Sequence, residues 1–197
     1  IATSPDAITW TQQITPVSNS TLYSEANSGS VWIAVGENGK VVRSYNGVSW
    51  TEAADLGDFT IYDVLYQNGR WVLAGGQGKL YSSTDNGTTW VSHVSGFPST
   101  AAINSISGDG AGGWIAAGDN GKMSVSANGT VWTSVATSFI GNILDFAVAG
   151  ASGALSSVSP APAGNSDASS ADQAYLAQLL VTLQALVAEL SAALAGQ

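Results

Sequence analysis

Short segments of alternating apolar and polar residues, separated by turns rich in Gly and Asn, run through residues 1–150 of this chain. The clearest segment, residues 60–67, is rich in β-branched and aromatic residues and ends at Asn68-Gly69. Asn-Gly between two such segments is typical of a tight β-hairpin. The alternation continues through residues 70–74, 79–83 and 89–94. The pattern therefore predicts four short antiparallel strands in about 40 residues.

This four-strand unit repeats along the chain, and tryptophans mark its period. One tryptophan closes a polar turn in each repeat, at spacings of 40, 40 and 42 residues: Trp10, Trp50, Trp90 and Trp132. A second tryptophan opens an apolar segment that ends in Gly in three repeats: Trp32, Trp71 and Trp114. Repeated four-stranded units of this length are typical of β-propeller blades.

The turn before Trp90 has a composition with a physical explanation. In such a turn an Asp carboxylate accepts backbone N–H groups, Gly supplies a positive φ, and Trp fills the gap between stacked sheets. The motif resembles the Asp-box, or BNR, repeat of β-propellers, and five residues match it in full: Ser83, Asp85, Gly87, Thr89 and Trp90. The second and fourth copies carry Asn46 and Asn128 in place of Asp, and the first has Ala7 in place of Gly.

The resemblance covers residues 4–150 and implies a fold rather than an activity. Asp-box propellers include sialidases, sorting receptors, a photosystem II assembly factor and many phage tail or surface proteins. The resemblance implies a structural role for the repeat residues Trp10, Trp50, Asp85, Gly87, Trp90 and Trp132.

The number of blades follows from the predicted first strands, which lie near Leu22, Ile61, Ile103 and Ile143. The fourth repeat fades through residues 150–157, whereas the N-terminus has only a turn and one strand, residues 6–14. We therefore expect a mainly β, four-bladed propeller whose incomplete last blade is closed by the N-terminal strand, since closure removes exposed sheet edges. The alternatives are a set of blades completed by neighbouring chains, or another blade-like β arrangement.

The propeller-like domain is predicted to span residues 1–155, followed by a Pro/Ser/Ala/Gly linker (156–169) and a C-terminal helix (170–197). Ser170 and Gln173 form a capping box at the start of that helix. Its apolar residues occupy a, d and e positions of a heptad, which favours three or more helices: Leu176, Leu179, Leu180, Leu183, Leu186, Val187, Leu190 and Leu194. We expect a homo-oligomer, with a trimer favoured; the alternative is a helix packed on its own propeller.

Composition and charge exclude several classes of protein. The chain has no cysteine and one histidine, which exclude thiol chemistry and make a His-based metal centre or a Ser-His-Asp triad unexpected. A net charge of −9 argues against nucleic acid and anionic membranes as partners. Residues 174–195 are long enough to span a bilayer, but their polar residues argue against a membrane span. Because the chain starts at Ile1 without Met, we expect a processed product or a fragment.

Candidate catalytic residues are few and scattered. A sialidase requires an arginine cluster, whereas Arg43 and Arg70 fall in different repeats. Asp55, Asp58 and Asp63 are predicted to be a solvated loop and a strand residue rather than a glycosidase pair or a calcium site. His93 is predicted to lie on an outer strand as a surface residue without a partner. We therefore expect no catalytic residue, no cofactor and no metal.

These observations predict a non-enzymatic protein that is displayed on a surface. The Asp-box resemblance, together with the predicted oligomerising helix, implies a bacteriophage virion component, such as a tail fibre, receptor-binding protein or capsid decoration protein, located on the virion surface or outside the cell. Its expected partners are copies of itself, other virion proteins, or a host surface glycan or protein. Strand packing explains most of the tyrosines, and a sugar-binding face is the alternative: Tyr23, Tyr45, Tyr62, Tyr66 and Tyr81. The alternative function is that of a secreted or periplasmic Asp-box propeller acting as a lectin or assembly factor.

Overall fold

The computed structural model describes residues 1–110 and 112–148, and one compact unit spans Ile1–Phe146. The predicted linker 156–169, the predicted helix 170–197 and its apolar stripe lie outside the described residues, so the domain boundary at 155 and the oligomer remain predictions. In the described part of the chain, fourteen strands and three short 3-10 turns form the secondary structure. No helix in that part has the length and apolarity required to cross a membrane.

The strands form an N-terminal hairpin and three four-stranded blades. The hairpin consists of β1 (Ala2–Thr3) and β2 (Thr11–Gln12). The first blade consists of β3 (Leu22–Asn27), β4 (Trp32–Gly36), β5 (Lys40–Ser44) and β6 (Trp50–Asp55). The second consists of β7 (Ile61–Gln67), β8 (Arg70–Gly75), β9 (Leu80–Ser83) and β10 (Val91–Ser92). The third consists of β11 (Ile103–Gly108), β12 (Trp114–Gly118), β13 (Met123–Ser126) and β14 (Thr133–Val135).

Each blade is an antiparallel sheet in which every strand pairs with its neighbours in sequence. This confirms the predicted mainly β fold built from several antiparallel sheets. The 3-10 turns Glu37–Gly39, Gly76–Gly78 and Asp119–Gly121 connect the second and third strands, where the sequence predicts tight turns. The first strand of every blade has the same irregularity: its register shifts after Leu22, Ile61 and Ile103. The shift places Ser24, Asp63 and Ser105 at equivalent positions.

The apolar core lies between successive blades. Ile33, Val35, Trp71 and Leu73, which lie on the second strands of the first two blades, are almost fully buried in one cluster. A second cluster joins the second and third blades. The second strands are apolar along most of their length, and in the second blade this run of buried residues is explained by the neighbouring blades, which cover both faces of β8.

The structure corrects the predicted ends of the propeller domain. Residues 6–14 hold a turn and the single strand β2, as predicted, but β2 pairs with a further strand, β1 (Ala2–Thr3), that was not predicted. Residues 143–149 are predicted to be a first strand, yet residues 143–148 are not assigned as a strand. Ile143 is nevertheless buried, and its N–H donates to the Gly118 carbonyl at 3.0 Å. The prediction that the N-terminal strand closes the last blade involves residues outside the described ranges and stays a prediction.

Candidate functional site

The turns that resemble the Asp-box are held by local hydrogen bonds. Asp85 Oδ1 accepts the Ser83 hydroxyl at 2.7 Å and the backbone N–H groups of Thr88 and Thr89 at 3.0 and 2.9 Å, while Oδ2 accepts the Thr89 hydroxyl at 2.6 Å. These bonds stabilise the charged carboxylate and hold the pKa of Asp85 at about 2. All of these partners lie within four residues of Asp85 along the chain, so these hydrogen bonds of the carboxylate all stay within its own turn.

The other copies of the turn use the same geometry. Asp6 accepts the N–H groups of Ile8 and Thr9 at 2.9 and 2.7 Å, and its pKa is also lowered to about 2. Asn46 and Asn128 accept equivalent bonds through their side-chain oxygens. Because a neutral amide replaces the carboxylate in two of four copies, the turns need a hydrogen-bond acceptor rather than a charge.

The four turn tryptophans differ in burial. Trp50 and Trp132 are 9% and 8% exposed, and Trp90 is half-buried against the core between the first two blades. The indole N–H groups of Trp50 and Trp90 donate to the Gly47 and Gly87 carbonyls at 2.9 and 3.1 Å. Trp10 is instead 62% exposed. Three of the four turn tryptophans therefore pack into the fold, whereas Trp10 lies at the surface.

Trp10 lines a groove between the N-terminal hairpin and the first blade. The groove has a volume of about 460 Å³, and its walls include Tyr23, Trp32, Trp50 and Glu25. The groove lies beside the hairpin, which differs from the blades in having only two strands. These strands, β1 and β2, correspond to the third and fourth strands of a blade. The first blade consequently presents aromatic side chains beside the hairpin. We call this surface, lined by Trp10, Trp32, Trp50, Tyr23 and Glu25, the hairpin groove.

The backbone of β1 also lines the hairpin groove. Ala2 pairs with Gln12, and the neighbouring Ile1 carbonyl accepts the Gln13 N–H at 3.0 Å. In an antiparallel ladder, hydrogen-bonded and non-hydrogen-bonded pairs alternate, so Ala2 belongs to a non-hydrogen-bonded pair. Its N–H and C=O therefore point away from β2, and Ala2 is one of the residues that line the groove. This strand edge was not predicted, because the sequence analysis assigns a single strand to residues 6–14.

The tyrosines divide between the interior and the surface. Tyr66 packs on Trp71 with ring centroids 4.7 Å apart, and Tyr81 stacks on Phe59 at 5.9 Å. Tyr23 lies 6.0 Å from Tyr62 and is half-exposed, and its hydroxyl donates to Glu37 Oε1 at 3.1 Å. Tyr45 is exposed beneath the Arg43 guanidinium. The interior pair fits the predicted strand packing, whereas Tyr23 contributes to the hairpin groove.

The three acids that resemble a glycosidase or calcium cluster do not form one site. Asp55 and Glu52 each bind Lys40 at 2.8 Å on the surface, and this ion pair lowers the pKa of Asp55. Asp63 is instead partly buried between blades; this partial burial raises its pKa, and the nearby Asp145 carboxylate raises it further. Asp63 lies on β7, the first strand of its blade, as predicted, and Asp58 lies exposed between β6 and β7 as expected of the solvated loop, whereas Asp55 is exposed but ends β6. Within residues 1–110 and 112–148, no group of three or more His, Asp or Glu residues could hold a metal ion.

His93 has a partner, contrary to the sequence-based expectation. Its Nε2 lies 2.8 Å from the Ser82 hydroxyl, which also accepts a bond from Arg70 at 3.2 Å. Burial, followed by the Arg70 charge, lowers the pKa of His93. Ser82 is 2% exposed on β9, so a substrate cannot reach its hydroxyl. The pairing of Val91 with Ser82 places β10, which His93 follows, beside β9. No sequence motif predicts this pairing.

The two arginines lie apart, as their positions in different repeats predict. Arg43 on β5 donates to the Asn86 carbonyl and the Thr88 hydroxyl, both at 2.9 Å, and so ties the first blade to the turn of the second. Arg70 on β8 binds Ser82. Neither contributes to an arginine cluster of the kind that binds a substrate carboxylate.

Comparison with known proteins identifies the fold. No protein-family model and no curated protein matches the chain. Among solved structures, YCF48 bound to D1 peptide aligns over 62% of this chain and 42% of its own, with a TM-score of 0.52 and 18% identity. YCF48 from Cyanidioschyzon merolae aligns over 58% and 37%, with a TM-score of 0.49 and 20% identity. A GH74 enzyme from Niastella koreensis aligns over 68% and 21%, with a TM-score of 0.45 and 20% identity.

The similarity to YCF48 bound to D1 peptide shows the fold alone: the described region is built of β-propeller blades. The chain spans less than half the length of the YCF48 structures it matches.

Proposed function

We propose that this protein is a non-enzymatic binding module that recognises an extended polypeptide segment in the hairpin groove. The observation that carries the proposal is the combination of an unpaired strand edge at Ala2 with aromatic walls. Recognition by strand addition uses these two parts, because main-chain hydrogen bonds supply affinity and side-chain pockets supply specificity. The groove is lined by aromatic rings and one carboxylate, that of Glu25.

The proposed setting is a bacteriophage virion, with the protein acting as a tail fibre, receptor-binding or capsid decoration component. Its proposed partner is a polypeptide of the virion or of the host surface. The predicted C-terminal helix clusters several propeller domains, so that weak binding by each is strengthened by avidity. The support for this setting is the Asp-box resemblance together with the a, d and e pattern of the predicted helix.

A second candidate is a secreted or periplasmic assembly factor. It is favoured by the fold likeness to YCF48, which was solved with a D1 peptide bound. Both candidates bind a polypeptide and differ in setting. A lectin role is the less favoured version, because Tyr66 and Tyr81 pack in the interior rather than forming a sugar-binding face.

Selection from a random peptide library on the full chain tests the groove. We expect the selected peptides to share alternating apolar residues, and titration calorimetry to measure their binding. Ala2→Pro removes the N–H that faces the groove while keeping the β1–β2 hydrogen bonds, and should abolish binding. Gln12→Pro is the matched control, because it removes an N–H from the opposite edge of the same hairpin. Equal binding by Ala2→Pro and the parent protein would overturn the proposal.

Light scattering on the full chain tests the display model. A double variant, Leu183→Asp with Leu186→Asp, places charge in the predicted apolar stripe and should convert a trimer to a monomer. Gln178→Asp with Gln184→Asp is the control, since these positions lie outside the stripe. If the parent protein is monomeric, the avidity part of the proposal is wrong, whereas the proposed binding in the hairpin groove is unaffected.

A further inference from the structure

The face of the first blade that lines the hairpin groove is equivalent to a face that is covered in the other two blades. Trp32, Trp71 and Trp114 lie at the same position of the second strands β4, β8 and β12. Trp71 and Trp114 are 1% and 3% exposed, whereas Trp32 is 38% exposed. The first blade therefore differs from the others in what covers this position.

The cover over Trp71 comes from the second strand of the preceding blade. Ile33 and Val35 on β4 are fully buried in the same cluster as Trp71. Residues of β8 share a cluster with Trp114 in the same way. Only the two-stranded hairpin precedes the first blade, so the described residues place no second strand over Trp32.

The glycines of the turns show the same difference independently. A Cβ on Gly87 would lie 2.6 Å from Ile33 Cδ1, which belongs to the second strand of the preceding blade. The equivalent glycine of the third blade is approached by a side chain of β8 in the same way. At Gly47, in the first blade, the nearest atoms to such a Cβ are 3.9 Å away and belong to Thr3 and Trp32. The hairpin groove thus has space for the side chains of a second strand.

The position of β1 in the repeat determines the direction and register of an added strand. In the first blade the third strand, β5, runs antiparallel to β4, and Arg43 pairs with Ile33. Thr3 is equivalent to Arg43, because each directly precedes the serine that begins a turn, Ser4 or Ser44. A strand that adds to β1 as β4 adds to β5 therefore runs antiparallel to β1 and places its counterpart of Ile33 opposite Thr3.

Alternation along the added strand decides which of its side chains face the groove. Thr3 lines the hairpin groove. Side chains directly opposite each other lie on the same face of a sheet, so the counterpart of Ile33 faces the groove, and so do the residues two positions away. The counterpart of Ala34 faces away. In the first blade the three groove-facing positions carry buried β-branched residues: Val31, Ile33 and Val35.

We propose that the polypeptide bound in the hairpin groove takes the position of a second strand in front of the first blade. It runs antiparallel to β1 and directs β-branched apolar side chains, at alternate positions, toward Trp32. The residue between them lies opposite Ala2 and exchanges both main-chain hydrogen bonds with it. This inference rests on the proposed function, because it specifies the sequence pattern and direction of the segment bound at the same site.

A peptide with the sequence of residues 30–36, Ser-Val-Trp-Ile-Ala-Val-Gly, extended by a hydrophilic fluorescent tail, is the probe. Fluorescence anisotropy measures its binding to the full chain. Ile33→Asn in the peptide should weaken binding about tenfold or more, because an amide replaces a buried apolar side chain. Ala34→Asn in the peptide is the matched control and should change binding by less than about threefold, because its side chain faces away from the groove. Equal losses in the two peptides would overturn the proposal.

Disulfide trapping in a glutathione buffer measures the direction of the bound strand. The chain has no cysteine, so only introduced thiols react. Thr3→Cys in the protein should cross-link to Ile33→Cys in the peptide, because the Cβ atoms of directly opposite residues lie about 4.5–5.5 Å apart. Val35→Cys in the peptide is the control, since it lies opposite Thr3 only in a parallel strand aligned at Ala2. Preferential trapping of Val35→Cys would overturn the proposed direction.

The proposed function and this inference fail in different ways. If library peptides bind in a manner that depends on Ala2 while the peptide of residues 30–36 does not bind, this inference is overturned and the proposed function stands. If Ala2→Pro binds every peptide as tightly as the parent protein does, the proposed function is wrong and this inference is overturned with it.

Discussion

The Asp6 turn and the Asp85 turn have the same hydrogen bonds but different surroundings. In both, a serine two residues earlier donates to the carboxylate, and two backbone N–H groups complete the turn. Trp90 then packs against the first blade, whereas Trp10 is 62% exposed beside a two-stranded hairpin. The turn is therefore a local structure that forms from its own residues, while burial of the tryptophan requires a neighbouring blade.

The two turns also differ at their residues with positive φ, since the Asp85 turn has both Asn86, at φ +59°, and Gly87, whereas the Asp6 turn has Ala7. Gly87 occupies this conformation at φ +74°, and Ala7 occupies it at φ +59° in the first turn. Glycine adopts this region without cost, whereas a Cβ is strained there. The N-terminal turn keeps its geometry in spite of this strain, which indicates that its hydrogen bonds outweigh the cost at one residue.

The largest expected difference is between the tryptophans. Trp50→Ala should lower the free energy of unfolding by about 3–5 kcal/mol, because it removes a buried indole and leaves a cavity. Trp10→Ala should lower it by less than about 1 kcal/mol, as expected for an exposed position. Urea denaturation of the two variants measures the difference, and equal losses would show that Trp10 is buried in solution.

The next effect concerns the glycine that faces the first blade. A Cβ on Gly87 would lie 2.6 Å from Ile33 Cδ1, so Gly87→Ala adds overpacking to backbone strain. We expect a loss of about 2–4 kcal/mol. If Gly87→Ala has the same melting temperature as the parent protein, the close approach of Gly87 to the first blade is contradicted.

A smaller gain is expected where the first turn departs from the motif. Ala7→Gly should raise the free energy of unfolding by about 1 kcal/mol, because it relieves the strain at φ +59°. Gly47→Ala is the reverse change at a site where a Cβ meets only atoms 3.9 Å away, and should cost a similar amount. If both variants have the stability of the parent protein, backbone strain is not what distinguishes the two turns.

The repeat was predictable because it depends on local sequence features. Gly and Asn turns, alternating strands and the recurrent Trp each constrain a few neighbouring residues, and the three blades follow from them. The strand ends are less well predicted: β10 covers only Val91–Ser92 of the expected residues 89–94. The His93 N–H makes the last backbone bond to β9, donating at 2.9 Å to the carbonyl of Leu80, at which β9 begins.

The candidate site was mostly not predictable, because it depends on contacts between distant segments. The hairpin groove arises from the way β1 pairs with β2 and from exposure of Trp10. The burial of Asp63 depends on Ser24 and Ile106, which are 39 and 43 residues away in sequence. The link from His93 to Ser82 depends on strand register. A single sequence shows the residue types but not which of them meet.

The smallest expected effect concerns the charge of Asp85. Its pKa is about 2 in the folded protein against an ordinary 3.8, so the carboxylate contributes stability above pH 3.8 that is lost as the pH falls toward 2. Because Asp85 is exposed, we expect Asp85→Asn to be less stable than the parent protein by roughly 0–1 kcal/mol at pH 5, with the difference vanishing near pH 2. Asp58→Asn, at an exposed aspartate outside the turns, is the control. Denaturation curves at pH 5, 3 and 2 provide the measurement, and a difference that is the same at all three values would show that charge plays no part. That result would make the Asp85 turn equivalent to the Asn46 and Asn128 turns, in which only the hydrogen-bond acceptor matters.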